Sequence, residues 1–188
     1  RAVDDLNLNL HRNQIMALLG HNGAGKTTTV SILATSLLPT GGEVTIFDRT
    51  LPTADSDPTD TNHLLKKLQS ETSICPQFNI FLDWLTGYEH LELFMEVRGI
   101  IIGSPSSDSK EQVLRHRDYL RGLLDKVKLL EKADRLVSTY SGGMKRRLSV
   151  AFALMGDPKL VLLDEPTTGM DVYSRKYTWE FIQAAKQH

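Results

Sequence analysis

The stretch Gly20-His21-Asn22-Gly23-Ala24-Gly25-Lys26-Thr27 constrains this chain more than any other. Glycines at these spacings let the backbone turn tightly enough for successive N–H groups to point at one anion. The run Ile15-Met16-Ala17-Leu18-Leu19 comes just before it, apolar throughout, and reads as a buried parallel strand. After it, residues 26–38 read as a helix stopped by Pro39 and the Gly41-Gly42 pair. The free N–H groups and positive dipole end of that helix favour the same negative charge as the loop. Strand, loop and helix in this order make a phosphate cradle. Its candidate binding residues are Gly20, His21, Asn22, Gly23, Ala24, Gly25, Lys26, Thr27 and Thr28. Lys26 would neutralise the β- and γ-phosphates of a bound nucleotide, and the Thr27 hydroxyl would ligate Mg²⁺.

Further strand and helix signals alternate along the chain. Residues 43–47 and 72–75 are strand candidates, and Leu160-Val161-Leu162-Leu163 is a second fully apolar strand. Thr86-Gly87-Tyr88-Glu89 is a capping box opening a helix that runs to about Arg98. Leu120, Leu123, Leu124, Val127 and Leu130 recur at helical spacing, as do Leu148, Ala151, Phe152 and Met155. Buried strands with helices between them imply an α/β core with a parallel sheet. The mainly helical block over 78–156 looks like an insertion into that core. Residues 52–61, rich in Asp, Thr and Pro, and 103–109, rich in Ser, read as surface loops. There is no internal repeat.

Leu163 is followed at once by Asp164 and Glu165. Carboxylates at the tip of a buried strand lie at the carboxyl edge of the sheet, where open α/β folds bind ligands. Asp164 suits a Mg²⁺ contact, usually through coordinated water. Glu165, one residue on, faces the γ-phosphate side, where it could orient and deprotonate an attacking water.

Composition narrows the function classes. Lys plus Arg number 22 against 23 Asp plus Glu, a net charge of −1, which argues against a nucleic-acid binder. The 188 residues fit one domain. Cys75 is the single cysteine, so no internal disulfide forms; a small buried apolar residue in a reducing compartment is the simplest reading. No apolar run approaches the roughly 18–20 residues that span a bilayer, and the opening residues lack a signal-peptide pattern. Contact with a membrane would have to come through something outside this chain. No two histidines hold metal-ligand spacing with acidic or thiol partners. The basic triplet Lys145-Arg146-Arg147 reads as a solvated helix face.

Tyr140-Ser141-Gly142-Gly143-Met144 resembles the signature motif of ATP-binding-cassette (ABC) ATPases, usually Leu-Ser-Gly-Gly-Gln, and stands upstream of Asp164 at the family's spacing. Gln77 in Cys75-Pro76-Gln77-Phe78 resembles the family's Q-loop glutamine, and Thr168-Gly169-Met170-Asp171 its D-loop. His21-Asn22, Cys-Pro-Gln-Phe-Asn, Glu89-His90-Leu91 and Gly-Met-Asp are most similar to the eukaryotic A subfamily, whose members move lipids. Bacterial exporters share many of these features. Two residues depart from the pattern: Gly87 stands where a β-branched residue is usual, and Met144 replaces the final Gln.

The resemblance implies a P-loop NTPase with a RecA-like core, an inserted α-helical signature subdomain and a small antiparallel β subdomain. It implies one domain over 1–188, with its core over about 1–77 and 157–188. The domain would lack the adenine-stacking aromatic before its first strand and the switch histidine beyond His188, which reads as an ordinary helix-end residue. It implies ATP and Mg²⁺ as cofactors, with Gln77 joining Thr27 and Asp164 around the metal and joining Glu165 and Lys26 in catalysis. It implies a head-to-tail pair of cassettes, in which Ser141, Gly142, Gly143 and Asp171 complete the partner's nucleotide site. Transmembrane domains of the same polypeptide would place the chain at the cytoplasmic face of a membrane, with no nucleic acid partner. Two rivals share the motifs: a soluble family member acting on ribosomes or DNA, and a cassette that holds ATP for regulation without hydrolysing it.

Overall fold

The computed structural model describes residues 2–56, 58–78, 80–102 and 109–186. In chain order these form α1 (Lys26–Leu33), the hairpin strands β1 (Thr45–Ile46) and β2 (Arg49–Thr50), α2 (Pro58–Glu71) and β3 (Thr72–Cys75). They continue with α3 (Gly87–Val97), α4 (Ser109–Lys126), α5 (Gly142–Leu154), β4 (Leu160–Leu163) and α6 (Val172–Ala185).

β3 and β4 pair in parallel, with Thr72 opposite Leu160 and Cys75 opposite Leu163, so Pro76 and Asp164 leave the sheet side by side. β1 and β2 pair antiparallel. One apolar cluster joins Leu91 and Met95 of α3, Leu120 and Leu124 of α4, and Leu148 and Phe152 of α5 to Cys75 and to Phe181 of α6. Phe94 stacks on Phe152 with ring centroids 4.7 Å apart, adding an aromatic contact between α3 and α5. A smaller cluster of Ile46, Leu51 and Leu68 sits under the hairpin and α2. Glu71 at the end of α2 meets Arg49 at 2.8 Å and Lys159 at 3.3 Å, linking the hairpin to the approach of β4.

Several sequence expectations hold. Thr86 caps α3 reciprocally with Glu89: the Glu89 amide donates to the Thr86 hydroxyl, and the Thr86 amide donates to the Glu89 carboxylate. Donation to the Glu89 carboxylate by the Thr86 amide, and by its hydroxyl, holds that carboxyl below its ordinary pKa. Cys75 is buried. His90 is a packing residue: its Nε2 accepts the Leu82 amide at 2.9 Å, so Nδ1 donates to the Thr86 carbonyl.

Other expectations need correction. Residues 15–19 form no ladder among the described residues and lie open, with Leu19 87% exposed. An apolar run becomes a buried strand only where partner strands and covering layers reach it. Here Leu18 and Leu19 face a shallow cavity shared with Ala2, Val3 and Leu6. α1 ends at Leu33, five residues short of expectation, because Thr35 takes φ 56, outside the helical range. Only part of 52–61 is loop, since α2 begins at Pro58. Residues 103–108, like His188, lie outside the described residues, and Ser109 opens α4. The apolar series in α4 stops at Lys126, and Leu130 belongs to a separate 3-10 turn. The basic triplet is not a solvated face: Arg146 is 2% exposed.

Candidate active site

The site begins with the loop between residue 20 and α1. Gly23 and Gly25 take φ of 83 and 86, the left-handed region open to glycine without strain. A Cβ on Gly25 would also press on the Ala2 carbonyl at 2.5 Å. The chain can therefore pass directly into α1 with its first N–H groups unencumbered. Lys26 folds back along the loop, and its ammonium donates to the Gly20 carbonyl at 2.7 Å and the His21 carbonyl at 3.0 Å. His21 Nδ1 lies 2.8 Å from the Asn22 carbonyl.

From the other side, β4 delivers Asp164 and Glu165. The Thr27 hydroxyl donates to Asp164 Oδ2 at 3.2 Å, so two of the three expected Mg²⁺ contacts meet although distant in sequence. Glu165 Oε2 accepts twice, from the Gln77 amide nitrogen at 3.3 Å and from the Thr168 hydroxyl at 2.9 Å. Two donors on one oxygen fix the direction of this carboxylate. Glu165 itself has φ 48, a left-handed conformation that costs a non-glycine residue about 1 kcal/mol or more.

Asn22, Gly23, Gly25, Lys26, Thr27, Thr28, Gln77, Asp164 and Glu165 line one cavity of about 490 Å³ together with Ala2. That volume lies within the ordinary range for small-ligand sites. A hydroxyl, a carboxylate and an amide carbonyl are hard oxygen donors that suit Mg²⁺. Among the described residues, no cluster of three or more His, Cys, Asp or Glu could hold a metal. A Mg²⁺ here would therefore share its coordination with phosphate oxygens and water, as this ion prefers.

Ser141, Gly142, Gly143 and Asp171 do not line that cavity. Ser141 caps α5, its hydroxyl accepting the Met144 amide at 3.2 Å. Asp171 caps α6 through the amide and hydroxyl of Ser174, at 2.9 and 2.7 Å, which hold its carboxyl below the ordinary range. The two caps are neighbours, since a Cβ on Gly143 would lie 4.0 Å from Asp171 Oδ2.

A family model described as "ABC transporter" matches residues 3–168. This chain belongs to the ABC transporter family. ABC transporter A family member 2 of Arabidopsis thaliana is 42% identical over 99% of the chain. The retinal-specific phospholipid-transporting ATPase ABCA4 of Homo sapiens is 39% identical over 96% of it. The chain spans 17% of the first of these relatives and 7% of the second. Among solved structures, the dimeric post-hydrolysis state of the ATP-binding cassette MJ0796 bound to ADP and Pi superposes with a TM-score of 0.79. It covers 99% of this chain and 75% of its own at 24% identity. The fold is that of the ABC cassettes, an α/β P-loop architecture.

Three site residues escaped sequence reasoning. Ala2 was passed over because a small apolar residue carries no chemical signal. Thr168 was seen only as part of a loop motif, yet its spacing from Glu165 matches that of a turn whose side chain reaches back. Arg146 was hidden within a run of charges.

Proposed function

We propose that this chain binds MgATP and hydrolyses it to drive a membrane transporter. The observation that carries the reading is the convergence of Thr27 on Asp164 and of Gln77 and Thr168 on Glu165, beside the phosphate loop. The loop amides and the helix start bind and orient the triphosphate, and Lys26, released from its own loop carbonyls, neutralises the transferring group. Thr27, Asp164 and the Gln77 carbonyl would hold Mg²⁺, which supplies charge neutralisation on the phosphates. Glu165 Oε1 is the oxygen placed to take a proton from an attacking water, since Oε2 is held by two donors.

The separation of Ser141, Gly142, Gly143 and Asp171 from this cavity supports a head-to-tail pair, in which each α5 N-terminus caps the nucleotide of the other cassette. Phe78, Ile80 and Trp84, all within seven residues of Gln77 in sequence, are exposed, which supports a docking surface for membrane segments elsewhere in the polypeptide. No helix among the described residues is long and apolar enough to cross a membrane. The cassette would sit at the cytoplasmic face. The similarity to a phospholipid-transporting relative supports a lipid as the cargo.

The test is Glu165→Gln in the full-length protein. MgATP binding should persist within about threefold, while turnover falls by roughly 10²-fold or more, because an amide cannot accept the water's proton. Turnover near the wild-type rate would refute Glu165 as the base.

A further inference from the structure

We propose that Arg146 is a positioning residue for hydrolysis, aligning Gln77 and Glu165 by holding the main chain of both. This rests on the hydrolytic reading above. The side chain leaves α5, is 2% exposed, and reaches the carboxyl edge of the β3–β4 pair. Its Nη1 donates to the carbonyls of Pro76 and of Gln77, the latter at 3.3 Å. Its Nη2 donates to the carbonyls of Asp164 and of Glu165, the latter at 2.8 Å, and Nε donates to the Pro166 carbonyl at 3.1 Å.

Two segments distant in sequence therefore meet on one planar guanidinium. The residues whose carbonyls it holds include the two whose side chains touch at 3.3 Å in the site. A guanidinium presents five donors in a rigid fork, whereas an ammonium presents three from a single point and cannot span five carbonyls on two strand ends. Burying a cation is costly without this degree of hydrogen bonding. The main-chain conformation at Glu165, left-handed with φ 48, persists only where surrounding contacts over-determine it, and the Arg146 contact to its carbonyl is one such contact.

The helix that carries Arg146 is the one that Ser141 opens. A shift of α5 is thereby passed to the base and to the Q-loop of the same cassette. Arg98 supplies the contrast. Its guanidinium donates to the Thr72 carbonyl at 3.0 Å and the Ser73 hydroxyl at 3.1 Å, at the opposite end of β3, away from the site.

Arg146→Lys, Arg146→Gln and Arg98→Lys are compared in the full-length protein by MgATP binding, thermal melting and turnover per bound nucleotide. Arg146→Lys should bind MgATP within about threefold of wild type and lose about tenfold or more in kcat, with little change in KM, since misaligned groups still bind. Arg98→Lys should lower the melting temperature and leave kcat per bound nucleotide unchanged. Arg146→Gln, which retains two donors, should behave like the lysine variant and serves where that variant does not fold. A kcat per bound nucleotide within twofold of wild type in either Arg146 variant would overturn the proposal, however far the melting temperature falls. Failure of both to bind MgATP would overturn it too, leaving Arg146 a folding residue. Absent turnover in the wild-type protein would instead refute the hydrolytic reading.

Discussion

The Tyr140 hydroxyl occupies the space that a side chain at Gly87 would need: a Cβ there would overlap it outright and lie 3.1 Å from the adjoining ring carbon. The same hydroxyl donates to the Lys132 carbonyl at 2.7 Å, and the amides of Gly87 and Tyr88 donate to the carbonyls of Arg135 and Ala133. Glycine at the head of α3 and tyrosine before Ser141 are thus one packing solution. In a helix, Gly→Ala usually gains up to about 1 kcal/mol. Here Gly87→Ala should instead lose about 1–3 kcal/mol through overpacking. Tyr140→Phe removes the obstructing oxygen, so the double variant should lose less than the sum of the two single losses. Denaturant unfolding of the four proteins decides it; strict additivity would refute the pairing.

The Lys26 ammonium and the Thr27 hydroxyl are adjacent in sequence but face different partners. Lys26→Ala should weaken MgATP binding or abolish turnover by removing the charge facing the phosphates. Thr27→Ala should act through the metal, raising the Mg²⁺ concentration needed for half-maximal turnover by about tenfold, with Thr27→Ser close to wild type. Titrations of turnover against Mg²⁺ at saturating ATP separate the two.

Thr168 and Gln77 donate to the same oxygen of Glu165. Thr168→Val should reduce kcat by roughly threefold to tenfold with MgATP affinity retained, because one donor remains to orient the carboxylate. Combined with Gln77→Ala, the loss in kcat should exceed the product of the two single effects. A simple product would mean that the two donors do not share the task.

Burial pushes the Cys75 thiol up to about 11 from an ordinary 9.0. The folded chain therefore holds this proton more tightly than the unfolded one. The resulting stability is fully present below about pH 9 and is lost as pH rises from there through about 11. At its full extent the effect is on the order of 2 kcal/mol. Unfolding midpoints measured at pH 8 and pH 10 should fall further for wild type than for Cys75→Ala, where this contribution is absent. Equal falls would contradict it.

Local patterns gave good access to some parts of this molecule and poor access to others. β3, β4 and the Thr86–Glu89 cap follow from residues close in sequence, and each formed as expected. The phosphate loop was equally readable, because its glycines are required by the backbone itself. The fate of residues 15–19 depends on which layers reach them, which no window of neighbours records. Arg146 shows a subtler failure. Three consecutive basic residues look like a solvated face, yet successive helix positions diverge by about 100°. Ser149, Val150 and Ala153, three, four and seven residues on, are all buried. The positions three, four and seven residues after Lys145 are buried as well, so spacing alone does not separate Arg146 from its neighbour, and its charge points the other way.

The pairing of Thr72 with Leu160 and the reach of Thr27 to Asp164 also set a timetable. Thr27 and Asp164 stand 137 positions apart. At ordinary rates of synthesis, the phosphate loop waits roughly 7–27 seconds for its acid to be made. During that interval β3 lacks β4, its parallel partner among the described residues, while α3 and α4 emerge and can already pack on each other. The cradle is synthesised before β4, and its closure must await that strand. A nascent chain stalled before residue 160 would carry the loop without the carboxylates it faces and a strand edge open to any neighbour.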